Sequence, residues 1–121
     1  MVRILIVAWT AALLPVPALA ADAGHGAKQF QTSCAICHAA VAGGIKNGPS
    51  LYGVVGRTSG TLTGYHYSTA MKAAALVWTD TQLDTYLAAP KKVVTGTKMS
   101  FIGIADATKR ADLIAYLDTL K

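Results

Sequence analysis

The chain has 121 residues, with eleven Lys or Arg against six Asp or Glu and a formal charge of +5. That length provides one small domain. Two cysteines, with His25 and His66 at no zinc-finger spacing, do not make a structural zinc site or a disulfide scaffold, and a charge with no basic run longer than Lys91-Lys92 argues against nucleic-acid binding.

A leader comes first. Arg3 gives a positive start, Ile4 to Leu14 is apolar, and Pro15 and Pro17 break the run. Ala18-Leu19-Ala20 then fits the small-x-small cleavage rule, which makes Ala21 the expected new N-terminus. The run is shorter than the roughly 20 residues of a bilayer span. The expected organisation is therefore a cleaved export signal over 1–20 and one mature domain over 21–121, with no membrane span and a monomer as the default. Arg3 leaves with the leader, so ten cations face six carboxylates and the net charge becomes +4. That excess suits transient docking on an acidic protein surface.

In the mature chain, Gly24 to Ala35 reads as a helix, because Gly26, Phe30 and Cys34 recur every four residues and share a face. Gly26 would let another helix approach closely. Ala39 to Gly64 is punctuated by glycines and Pro49, so it reads as a loop that wraps around something. Tyr67 to Ala75 can form a short helix. Thr79-Asp80-Thr81-Gln82 is a capping-box pattern opening a helix from Asp80 to about Ala88, with Pro90 as its stop. Pro90 to Gly103 reads as a second loop. Asp106 or Thr108 caps a last helix running to about Leu120, whose stripe of Leu113, Tyr116, Leu117 and Leu120 suits the Gly26/Phe30 face. The expected fold class is all-α.

The chemistry concentrates at Cys34-Ala35-Ile36-Cys37-His38, a C-x-x-C-H sequence. Two thiols three positions apart on a helical turn can both form thioethers with one haem, and the following imidazole can bind its iron. A thioredoxin-like pair needs a strand–helix–strand setting that is absent around these residues. The Pro49 carbonyl is a candidate acceptor for the ring N–H of His38. Met99, in a Gly/Thr/Lys loop rather than on an apolar helix stripe, is the best candidate for a second iron ligand. Met71 is its rival, and core filling is the ordinary use of a lone methionine. His/Met ligation raises the potential and leaves no open position, which is the electron-transfer arrangement. An open sixth position, as in a haem enzyme or gas sensor, is the alternative.

Taken together, Gly26-x3-Phe30-x3-Cys34-x2-Cys37-His38, Gly48-Pro49-Ser50-Leu51, Gly56-Arg57, Trp78, Tyr86-Leu87, Pro90-Lys91-Lys92, Gly96-Thr97-Lys98-Met99, Phe101 and Arg110 to Leu117 resemble a class I cytochrome c, of the mitochondrial type and its bacterial periplasmic relatives. The resemblance covers Gly24 to Lys121. It implies three to five helices and Gly-rich loops around one covalent haem c on Cys34 and Cys37, with His38 and Met99 axial. It further implies that Tyr86 donates to the Met99 sulfur, that Thr97 orders that loop, that Arg57, Tyr67 and Trp78 meet the haem propionates, and that Phe101 covers the haem edge. Trp78 and Tyr86 as plain core aromatics, and Arg57 as a solvated loop charge, remain alternatives. The implied function is one-electron shuttling, without enzymatic activity, from a quinol–cytochrome c oxidoreductase or a periplasmic dehydrogenase to a terminal oxidase or reaction centre. Lys28, Lys46, Lys91, Lys92 and Lys98 would steer docking.

The chain also departs from that pattern. Val93, Val94 and Thr95 stand where the family often has Tyr and Ile-Pro, so the Met99 loop is expected to be less stiff. Ser33, Ala105 and Asp106 stand where it often has Lys, so docking is expected to be weaker and less salt-sensitive.

Overall fold

The first and last helices meet almost backbone to backbone. In the computed structural model, which describes residues 11–15 and 19–121, α1 (Ala23–Ser33) packs against α5 (Ala107–Asp118). A Cβ on Gly26 would overlap the Asp112 carbonyl oxygen and lie 2.6 Å from its carbon and 2.8 Å from Tyr116 Cβ. Only glycine permits that approach. Phe30, one turn on, is fully buried and tilts onto Tyr116 with ring centroids 5.4 Å apart. Residues 1–10 and 16–18 lie outside the described residues, and with them Arg3, most of the apolar run, Pro17 and Ala18 of the expected leader. Among the described residues no helix is long and apolar enough to cross a membrane.

Four of the five helices among the described residues begin at a side-chain cap. The Asp22 carboxylate accepts from His25 N at 3.0 Å and opens α1 one residue before Gly24. Phe30 O accepts from both Cys34 N and Ala35 N, which turns the chain out of the helix at Cys34 rather than at Ala35. Ser68 caps α2 (Thr69–Ala74), which is shorter than expected and ends on Ala75, a non-glycine residue in the left-handed region with φ 48°. Thr79 opens α3 (Asp80–Ala88) with half of the expected capping box: its Oγ1 accepts from Gln82 N at 3.1 Å, while Thr79 N donates to Val77 O rather than to the Gln82 side chain. Asp106, not Thr108, caps α5.

The expected loop from Pro90 starts as helix instead. Ala89, kept out of the α region as the residue before a proline usually is, is followed by α4 (Pro90–Val93), with proline in the first turn and Val94 N donating to Pro90 O at 2.9 Å. A proline tolerates that position because its missing N–H has no helical partner there. Thus Pro90 both stops α3 and starts α4. The chain then returns along α3, with Ile104 N donating to Leu87 O at 2.8 Å. Arg110 locks the return: its Nε pairs with Asp84 at 2.8 Å and its Nη1 donates to the Ile104 and Ala105 carbonyls. The result is an all-α fold of five helices among the described residues, with one isolated antiparallel bridge, Thr58 to Val77.

Candidate functional site

α1, α3 and α5 and the two long loops enclose a cavity of about 470 Å³, a volume within the range of cofactor sites. Cys34 and Cys37 line it from the turn that ends α1. His38 follows on the same turn, where its N–H donates to Cys34 O at 2.9 Å. Its ring Nδ1 lies 2.7 Å from Pro49 O. That contact fixes the proton on Nδ1 and frees Nε2 as a donor to a metal. Gly48 makes the approach possible, since a Cβ there would lie 2.5 Å from His38 Cε1 and 2.8 Å from Nδ1. Burial lowers the His38 pKa, with the Arg57 charge adding to it and the Pro49 bond opposing it. The neutral, ligating form is favoured.

Burial, with Cys37 beside it, pushes the Cys34 thiol up to about 11. A redox-active pair needs a lowered thiol pKa, so Cys34 is poorly suited to thiol–disulfide exchange.

Met99 lines the same cavity from the second loop. The Tyr86 hydroxyl donates to its sulfur at 3.3 Å, and Thr97 Oγ1 accepts from Met99 N at 3.3 Å. Burial raises the Tyr86 pKa, and Thr97 beside it opposes the rise. Trp78 is buried against Tyr86, with ring centroids 4.8 Å apart. Arg57, half-buried, donates to Ser50 O at 2.9 Å and Tyr52 O at 3.3 Å. Tyr67, whose hydroxyl accepts from Leu62 N at 3.3 Å, and Phe101 complete the wall. All eleven side chains expected at the site line this cavity.

Sequence reasoning did not identify several residues here. Leu51, Val54, Leu83, Leu87, Leu113 and Leu117 make the walls apolar. Met71, the rival ligand of the sequence reading, does line the cavity, from an α2 whose first turn is capped by Ser68. Of the five lysines expected to steer docking only Lys98 reaches the lining, and its ammonium is held by His66 O at 2.7 Å. Lys46 is likewise tied to Ala35 O at 2.7 Å, and all five are exposed.

These residues fit a haem. Two thiols and one imidazole converge from a single turn on an apolar cavity that a thioether also lines. Among the described residues no three His, Cys, Asp or Glu gather to hold a bare ion. A porphyrin brings four nitrogens of its own and asks the protein for axial ligands alone.

Comparison with known proteins agrees. The family model described as Cytochrome c matches residues 23–121. Cytochrome c of Euglena viridis is 52% identical over 100 residues, covering 83% of this chain and 98% of that protein. Cytochrome c2 of Rhodopila globiformis is 51% identical over 100 residues, covering 83% and 94%. Among solved structures, cytochrome cH from Methylobacterium extorquens matches with a TM-score of 0.76 at 45% identity, over 81% of this chain and 98% of that one.

Proposed function

Because the chain belongs to the cytochrome c family, we propose that it is exported, loses its leader after Ala20, and shuttles single electrons in the periplasm from a quinol–cytochrome c oxidoreductase or a dehydrogenase to a terminal oxidase or reaction centre. Family membership carries one covalent haem c and the role of electron carrier rather than enzyme. When bound, the haem supplies a one-electron ferric/ferrous couple.

The protein's own residues do the rest. Cys34 and Cys37 hold the group as thioethers. His38, kept neutral and oriented by Pro49 O, binds through Nε2. Met99 binds through a sulfur that Tyr86 holds in place, so neither ligand need leave as the charge changes. Arg57, Tyr67 and Trp78 meet the propionates. Phe101 and the apolar wall exclude water, and Lys28, Lys46, Lys91, Lys92 and Lys98 attract an acidic partner. The 3.3 Å contact from Tyr86 to the Met99 sulfur carries the reading, because it holds a soft ligand inside the cavity that His38 lines.

The full chain, expressed in a host that attaches haem c, tests it. The expected product is recovered from the periplasm beginning at Ala21, is oxidised by oxidase-containing membranes, and takes up no carbon monoxide when reduced. Ready carbon monoxide binding by the unmodified protein would contradict the closed site.

A further inference from the structure

Asp112, 9% exposed, is the one charged residue buried among the described residues. It lies midway along α5 and does not line the haem cavity. It grips α1 at two levels. Its carbonyl meets Gly26, and its carboxylate Oδ1 accepts from Asp22 N at 2.7 Å, across 90 positions of sequence. Asp22 is the residue that caps α1. Asp112 Oδ2 takes no hydrogen bond among the described residues; His25 Nδ1 stands off at 3.8 Å from it, and at 3.7 Å from Asp22 Oδ2. A buried carboxylate with one oxygen so loosely partnered calls for a cation.

The charges at this crossing are short of one cation. Asp22, His25 and Lys28 stand on the α1 side; Asp106, Lys109 and Asp112 stand on α5, where Tyr116 also packs at Gly26. Three carboxylates thus face two ammonium groups beside one imidazole. The chain itself can supply the missing charge. Ala20 and Ala21 are exposed and lie outside any helix, directly before Asp22. While the leader is attached, Ala21 N is a neutral amide. Cleavage after Ala20 turns it into an α-ammonium. Consecutive backbone nitrogens are at most about 3.7 Å apart. The new charge therefore stays within about 6.5 Å of Asp112 Oδ1 whatever torsion Ala21 takes, and rotation about the Ala21 backbone can shorten that distance.

We propose that removal of the leader creates an ion pair between the Ala21 α-ammonium and the Asp112 carboxylate, so that processing itself tightens the α1/α5 crossing. The proposal rests on the cleavage after Ala20 proposed above. The ammonium gains its partner on folding, so its pKa in the folded protein rises above the roughly 7.7–8.0 of an ordinary α-amine. The stabilisation is complete below that ordinary value and is lost as pH rises through the folded one. The uncleaved chain, with an amide at the same place, has none of it.

The test titrates the Ala21 methyl group by NMR in the processed, ferrous holoprotein. The expected midpoint is about 9, one unit above an ordinary α-amine. Asp112→Asn keeps an acceptor for Asp22 N and should return the midpoint to about 8. Asp118→Asn, six residues further along α5 and about 9 Å away, should move it by no more than about 0.3 unit. Transamination of the Ala21 amine to a ketone removes the charge. It should raise the unfolding constant at pH 7 about tenfold in the parent and less than about twofold in Asp112→Asn. The parent's midpoint decides the matter even if Asp112→Asn fails to fold. A chain that begins at Ala21 with an ordinary midpoint, or an equal loss on transamination in both proteins, would overturn the ion pair alone. A processed chain that begins elsewhere would defeat the cleavage reading, and this proposal with it.

Discussion

Adding one methyl group at Gly26 should cost about as much as truncating a buried core leucine to alanine. The built Cβ overlaps the Asp112 carbonyl and sits 2.6 Å from its carbon, and ordinary contact begins at 3.4 Å. Backbone cannot rotate aside as a side chain can, so α1 and α5 must part by about 1 Å, and a gap of that size forfeits a quarter to a half of a packing contact's dispersion energy. The seam holds Phe30 and Leu113, both fully buried, with Tyr116 against Phe30. Overpacking costs about 1–3 kcal/mol and the loosened seam adds about as much again, while alanine's better helix propensity returns about 1 kcal/mol. The net expectation for Gly26→Ala is a loss of about 3 kcal/mol, or about 1 M in the guanidinium midpoint at a slope near 3 kcal/mol/M. Gly24→Ala is the control. Its Cβ would meet the tip of the Asp22 side chain at 3.1 Å, which can move, so stability should stay within about 1 kcal/mol of the parent. Denaturant unfolding of the two holoproteins decides the matter. A Gly26→Ala cost below about 1 kcal/mol, or one equal to that of Gly24→Ala, would refute the backbone-contact argument.

Three further changes act on the second loop and on α2. Thr95→Pro should raise the pH at which the Met99–iron charge-transfer band disappears; Val94 already has φ −122°, suited to a following proline, and an unchanged transition would count against a slack loop. Thr97→Val removes the acceptor for Met99 N. Losing about 1 kcal/mol should lower the same transition by about 0.7 pH unit, and a band that persists to the parent's pH would contradict the assigned role. Ala75→Gly relieves a left-handed alanine on an exposed turn. A strain of about 1–2 kcal/mol against a glycine entropy cost of about 0.5–1 leaves a gain near 0.5–1 kcal/mol, or about 4 °C in Tm. Calorimetry showing no rise would mean the strain is absorbed elsewhere.

The sequence was most informative where one short segment settles its own structure. Thr79 to Gln82 is such a case, because the Thr79 hydroxyl and the Gln82 N–H are three residues apart and meet by local geometry alone. The cysteine turn is another, since His38 follows Cys37 directly and its N–H closes on Cys34 O. Legibility fell where distant parts of the chain decide. Pro90 was readable as a stop, but whether it also starts a helix depends on the return of 94–104 along α3, which Arg110 secures from 26 residues beyond Asp84. Met71 facing the cavity, and Lys46 and Lys98 bound to carbonyls, depend on contacts across 11 to 32 residues that no periodicity encodes. The fold class and eleven of the cavity's lining residues followed from motif order. Which lysines are anchored, and that Ile36 faces solvent at the cavity, required the structure.

The central claim is that iron is bound between His38 and Met99 in a haem joined to Cys34 and Cys37. Mass spectrometry and visible spectroscopy of the exported protein, beside its Met99→Ala and Met71→Leu variants, test it most directly. The expected result is one haem mass bonded to each protein, with the methionine–iron band kept in the parent and in Met71→Leu and lost in Met99→Ala. A parent protein with free thiols and no porphyrin, or a band that vanishes with Met71 rather than Met99, would contradict it.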